Sequence, residues 1–103
     1  MSASVGQNKD MTTLFDASSH WTLANGAATA RFSTKNFATG LEFVNHIGVS
    51  AEAANHHPDL LLSYSFVDVT LTSHDVGHVT DRDEKLAAAI DVHAAALGIV
   101  AQQ

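Results

Sequence analysis

Residues 20–55, HWTLANGAATARFSTKNFATGLEFVNHIGVSAEAAN, decide the architecture. They hold a β-hairpin followed by one long amphipathic helix. Asn25-Gly26 is the turn signal, because both central positions of a type I′ turn need positive φ. Trp21 and Leu23 alternate with polar neighbours before it, and Ala28, Ala30 and Phe32 alternate after it. Strands are expected over 21–24 and 27–33. Beyond them Phe37, Leu41, Val44, Ile47, Ala51 and Ala54 recur at three- and four-residue spacing, a helical stripe. Thr34 or Asn36 is placed to cap its start. Gly40 and Gly48 each cost a helix interior about 1 kcal/mol relative to Ala, which makes both candidates for close packing. Pro58 disfavours helix at His57 and ends the element.

A second ββα unit follows. The run 60–64 reads as a strand with a tight connection near Ser65–Phe66. Val67, Val69 and Leu71 then alternate with Asp68, Thr70 and Thr72, a half-buried strand. HDVGHV, residues 74–79, is a loop. Thr80 caps the last helix, with acids in its first turn and Leu86, Ile90, Ala94, Leu97 and Val100 as its buried stripe. Upstream, residues 1–10 read as flexible, and Met11, Leu14 and Phe15 outline a short leading helix over 11–17. The order ββαββα, with room for that leading helix, gives an α+β fold. Its form is a two-layer sandwich: a four-stranded antiparallel sheet with helices on one face. The chain of 103 residues reads as one domain. One sheet face and the edge strands are left uncovered, so a homo-oligomer, dimer or tetramer, is expected.

Composition narrows the function classes. No cysteine is present, which excludes disulfides, thiolate metal sites and a thiol nucleophile. The net charge of -6 and the absence of a basic run disfavour direct nucleic-acid binding. No apolar run reaches the ~18 residues of a membrane span. The N-terminus is polar and has no signal-like apolar core. A cytoplasmic protein is expected.

Seven histidines stand out: His20, His46, His56, His57, His74, His78 and His93. His20 reads as a surface residue, and His46 and His93 as structural residues near the helix stripes. Trp21 and Tyr64 read as packed aromatics. Pairing of the third and fourth strands brings His56 and His57, at the end of the first long helix, near His74, at the end of the fourth strand. Asp83 then approaches from the last helix. Imidazoles oriented by a carboxylate suit general acid–base catalysis near neutrality. The same residue types bind zinc or iron, and histidines at a helix C-terminus also cap carbonyls. Adjacent His56 and His57 lack the i, i+4 spacing of a helical metal pair. The spacing alone selects none of the three.

Glu52, three residues, His56-His57-Pro58, then Tyr64, His74 and Asp83 together resemble the signature of the pterin-4a-carbinolamine dehydratases. The resemblance runs from about His20 to the C-terminus and includes Trp21, Arg31-Phe32, Glu42-Phe43-Val44-Asn45, Val69-Thr70-Leu71 and Thr80-Asp81-Arg82-Asp83. It implies a hydro-lyase that dehydrates 4a-hydroxytetrahydrobiopterin, left by aromatic amino acid hydroxylases, to quinonoid dihydropterin, so recycling the pterin. It implies no metal and no organic cofactor. His56, His57 and His74 become catalytic residues, with acid and base unassigned. Glu52, His56, His57, Pro58, Ser73, His74, Asp75, Val76 and Asp83 become substrate-binding residues. The same resemblance offers a second role, since some relatives serve as dimerisation partners of a homeodomain transcription factor. This chain departs from the family pattern at Leu60, where an aromatic residue is common, at Phe66, where a lysine is common, and at Gly77-His78.

Overall fold

In the computed structural model, which describes residues 20–102, Asn25 and Gly26 close the first hairpin with φ of 55° and 80°. β1 (Thr22–Ala24) and β2 (Ala27–Ser33) pair antiparallel across that turn, Thr22 opposite Thr29. α1 (Phe37–Ala54) follows, capped by Asn36, whose side chain accepts the Thr39 N–H. Then come β3 (Asp59–Leu62), β4 (Phe66–Leu71), α2 (Asp81–Ala96) and β5 (Val100–Ala101). β2 and β4 pair along their length, with Ala30 opposite Val69, and β3 lies at the far edge. β4 takes one side of β2, so β1 and the short β5 share the other.

Among the described residues the sheet has five strands rather than the expected four. α2 stops at Ala96, and Gly98 turns the chain with φ 71°. Val100, expected on the helix stripe, instead sits opposite Ser33 and is exposed. A two-residue strand is too short for its periodicity to register. β3 also differs from expectation. It begins at Asp59 and ends at Leu62, so Tyr64 lies in the turn, 69% exposed, rather than packed in a strand. Phe66 opens β4, beneath the Arg31 guanidinium, 3.8 Å from its ring centre. The short helix expected over 11–17 and the flexible run 1–10 lie outside the described residues.

Among the described residues, α1 and α2 cover one face of the sheet. Val67, Val69 and Leu71 of β4 and Ala28, Ala30 and Phe32 of β2 point into the core. They meet Phe43, Ile47, Leu86 and Ile90 from the helices. Phe32 packs edge-on against Trp21 and Phe43 at ring separations of 5.9 and 5.1 Å, a preferred aromatic geometry. Trp21 is core, as expected. His20 is not simply a surface residue. Its Nε2 lies 2.8 Å from Asp91, and the Trp21 indole N–H donates to the same carboxylate, tying the start of β1 to α2.

The buried face of α1 is turned from the expected stripe. It runs through Gly40, Phe43, Ile47 and Ala51, while Phe37 and Leu41 are about half exposed. Gly40 explains the turn. A Cβ there would stand 2.7 Å from Leu62 Cδ1 and 3.3 Å from Thr34 Oγ1, so the helix sits against β3 at that point. Gly48 has nothing within 4 Å of a Cβ and does not mark close packing. Gly48→Ala is therefore expected to stabilise the fold by up to about 1 kcal/mol through helix propensity. Gly40→Ala is expected to destabilise it by about 1 kcal/mol, because Leu62 must leave its rotamer. Urea midpoints check the pair. Equal shifts would contradict the assignment of the buried face.

Candidate active site

α1 ends without using a histidine side chain. Asn55 is left-handed at φ 51°, ψ 44°. Its N–H reaches the Glu52 carbonyl at 3.2 Å, and the His56 N–H reaches the Ala51 carbonyl at 3.1 Å. This is the backbone pattern that satisfies a helix C-terminus. The side chains of His56 and His57 bond carboxylates instead.

His56 turns inward, to Asp83. Asp83 is wholly buried at the third position of α2, where it and Thr80 form a reciprocal capping box. One carboxylate oxygen lies 2.5 Å from His56 Nε2. The other accepts the Ser73 hydroxyl at 2.7 Å and the Thr80 N–H at 2.9 Å. Ser73 thus spends its one proton on Asp83, so Thr80 Oγ1, 2.7 Å away, donates to Ser73. Thr80 Oγ1 in turn accepts the Arg82 N–H at 3.3 Å. A buried carboxylate with every donor accounted for is a rigid partner. A carboxylate only accepts, so His56 Nε2 carries a proton and Nδ1 is left without a carboxylate partner.

His57 turns outward, to Glu52, with Nε2 and Oε2 2.5 Å apart and both side chains more than half exposed. Glu52 stands on the last turn of α1, so the helix itself supplies the orienting group. The ring keeps Nδ1 free in the same way.

The segment after β4 is a tight loop. Ser73 bridges His78, and the Ser73 carbonyl accepts from Val76 and Gly77 at 3.1 and 2.9 Å. The β1–β2 turn abuts it. A Cβ on Gly26 would stand 2.6 Å from the Gly77 carbonyl oxygen, so the residue there has to be glycine. Arg82 reaches back to Asp75 at 2.7 Å. That hydrogen bond holds the Asp75 carboxyl below the usual carboxylate range, and the nearby His56 ring acts in the same direction. The Arg82 guanidinium is raised correspondingly by Asp75.

The expected site residues thus fall into two groups. His56, Ser73 and Asp83 form one network, with Asp75 joined to it through Arg82. Glu52, His57 and the half-buried Pro58 form the other, lining an apolar hollow of about 530 Å³ with Leu60. A second hollow of about 290 Å³ lies between the helices, lined by Ser50, His56, Arg82 and Lys85. The side chains of His74 and Val76 stand exposed in the loop and line neither hollow. His78 donates no ring to either, since its Nδ1 lies 2.9 Å from the Val79 carbonyl oxygen. Ser50 and Lys85 were not singled out from sequence, and Arg82 was named only within the Thr80-Asp81-Arg82-Asp83 run. The signal was present in the helical spacing of residues 82, 85, 86 and 89, which puts them on one side of α2. Among the described residues no three His, Asp or Glu side chains are grouped as metal ligands.

His46 and His93 stack at 5.4 Å across the α1–α2 seam. His93 Nε2 lies 2.7 Å from Ser50 Oγ. Burial depresses the His93 pKa, and His46 adds to the effect. The fold therefore favours neutral His93. Its contribution to stability is whole above the ordinary histidine pKa of about 6.5 and is lost as pH falls through the lower folded value. His93→Gln is expected to flatten the decline of the urea midpoint from about pH 7 to about pH 5. Parallel declines in the two proteins would contradict this.

Residues 5–93 match the model of the family described as pterin 4 alpha carbinolamine dehydratase. A protein of Chloroflexus aurantiacus provisionally named pterin-4-alpha-carbinolamine dehydratase is 45% identical over 71 residues, 69% of this chain and 76% of that protein. One of Aquifex aeolicus with the same provisional name is 46% identical over 71 residues, 69% of this chain and 72% of that protein. The crystal structure of a transcriptional coactivator/pterin dehydratase from Brucella melitensis superposes with a TM-score of 0.74 at 29% identity. It covers 90% of this chain and 97% of that one. A pterin dehydratase-like RuBisCO assembly factor of the alpha-carboxysome shares the fold, with a TM-score of 0.60 at 19% identity over 72% of this chain and 86% of that one.

Proposed function

The chain belongs to the pterin 4 alpha carbinolamine dehydratase family, and from that membership we propose that it dehydrates 4a-hydroxytetrahydropterin to quinonoid dihydropterin. One observation carries the reading. Consecutive residues, His56 and His57, each have Nε2 fixed on a carboxylate, which leaves two oriented imidazoles at the end of one helix. The reaction breaks the C4a–O bond and removes the N5 proton. Electrons from the N5–H bond form the N5–C4a double bond, and the hydroxyl leaves as water after taking a proton from an acid. A charged imidazole donates that proton through Nδ1–H, and a neutral one accepts the N5 proton at Nδ1. His74, on the adjoining loop, is the third imidazole of the proposal. Pro58, Asp75 and Val76 are its pterin contacts, Glu52 and Asp83 orient the rings, and Ser73, wholly buried with its hydroxyl on Asp83, supports that carboxylate rather than touching the pterin as expected. The protein acts without metal or organic cofactor, as one domain, in the cytoplasm and as a homo-oligomer.

The test follows the absorbance of enzymatically generated 4a-hydroxytetrahydropterin. The protein is expected to accelerate its decay over buffer alone. A rate equal to that of buffer would overturn the reading.

A second reading, a protein-interaction module, draws on the transcriptional coactivator role by which the Brucella protein is described and on Phe37, Leu41 and Val49 exposed along α1. The His57→Ala, His74→Ala double variant separates the two. It is expected to lose the acceleration, whereas a module would keep its partner binding unchanged.

A further inference from the structure

The hollow between the helices is a trough. Ser50 and Ala54 on α1 form one wall, and Arg82, Lys85, Leu86 and Ala89 on α2 form the other. His56, bonded to Asp83 in the first turn of α2, stands at one end. At 1.5 Å per residue, the wall from Arg82 to Ala89 runs for about 10 Å away from that imidazole. A ligand with its reacting ring at His56 therefore has a path for a substituent past Lys85.

Charge along that path is uneven. The carboxylates near its mouth are occupied: Asp75 by Arg82, and Asp83 by His56, Ser73 and Thr80. Asp81 and Glu84, the other acids of the first turn, do not line the trough. Lys85 does, and among the described residues its ammonium has no carboxylate within ion-pair distance. The Ser50 hydroxyl faces it from α1, held by His93 behind. An uncompensated cation and a hydroxyl along a trough of about 290 Å³ favour an anionic group. A neutral polyol side chain gives the ammonium no counter-charge.

We propose that the trough beside His56 selects pterins whose side chain ends in an anionic group, a phosphate or a carboxylate, with Lys85 as the specificity-determining cation. This rests on the dehydratase reading of the same site and names its substrate class. Lys85 touches the substituent and takes no part in the proton transfers.

Three 4a-hydroxytetrahydropterins test it: one with a neutral dihydroxypropyl chain, its phosphate monoester, and one ending in a carboxylate. At low ionic strength kcat/KM for the ester is expected to exceed that for the neutral pterin by about fivefold, the size of an exposed ion pair, with the difference in KM. Lys85→Gln is expected to bring the ester-to-neutral ratio close to one, and so is salt at a Debye length of about 8 Å or less. The carboxylate pterin distinguishes the source of the charge: a ratio matching the ester's supports any anion, and a smaller one assigns phosphate. Equal kcat/KM for neutral and charged pterins, or a preference that Lys85→Gln leaves intact, overturns the proposal. Calorimetric binding of the unreactive 7,8-dihydropterins separates the two claims. A charge preference in Kd without turnover overturns the dehydratase reading and upholds the trough, and turnover without preference does the reverse.

Discussion

Asp83→Ala is expected to lose about 3 kcal/mol or more of folding stability and nearly all turnover. The carboxylate is fully buried and holds His56, Ser73 and the Thr80 N–H together. Truncation leaves the buried donors of His56, Ser73 and Thr80 without their acceptor, at about 1–3 kcal/mol for each one stranded. Loss of the capping box adds about 1 kcal/mol. For a domain of this size each kcal/mol moves Tm by about 4–8 °C, so a fall beyond about 12 °C is expected. Asp83→Asn keeps an acceptor and is expected to lose less stability. It still places an amide against His56, which disturbs the tautomer. Thermal melts followed by circular dichroism check the first claim and pterin turnover the second. A Tm within about 5 °C of wild type would mean that the network contributes little.

His57→Ala is expected to lower kcat/KM by about 10²–10⁴, the usual range for a general acid or base. Its side chain is 54% exposed, so stability should stay within about 0.5 kcal/mol of wild type. His56→Ala is expected to match that kinetic loss and also to destabilise, since it strands Asp83. The contrast separates chemistry from folding. Equal stability losses at both positions, or turnover at His57→Ala near the wild-type value, would contradict the roles assigned. Glu52→Gln probes the same ring more gently, by weakening its orientation without removing it.

Much of the fold was legible because its signals are local. Asn25-Gly26 needs only its own backbone angles, and the alternation through Val67, Val69 and Leu71 needs only one buried face. Thr80 and Asp83 announce their cap within four residues. What escaped depends on contacts across the fold. Phe43 replaces Phe37 and Leu41 on the buried face of α1 because Gly40 must meet Leu62, far along the chain. Val100 leaves the helix for an unfilled edge of β2. Asp91 receives both His20 and Trp21 from about 70 positions away, and no local pattern marks it.

The site divides similarly. The resemblance pointed to Glu52, His56, His57 and Asp83, which the structure joins in two hydrogen-bonded pairs. Spacing did not show that the two adjacent rings take different carboxylates, one buried and one exposed. That choice is made by the left-handed Asn55, which turns the chain out of α1 just before both histidines. His74 was expected beside them, yet its side chain stands open in the loop that Arg82 ties down through Asp75.

A crystal structure with an unreactive 7,8-dihydropterin bound is the most direct measurement. The account predicts the bicycle at the end of α1, with ring nitrogens about 3 Å from the free Nδ1 atoms of His56 or His57 and the Ser73–Val76 loop against it. A pterin seated instead on the sheet face opposite α1 and α2, in the cavity of about 390 Å³ lined by Arg31, Asp68 and Thr70, would contradict it.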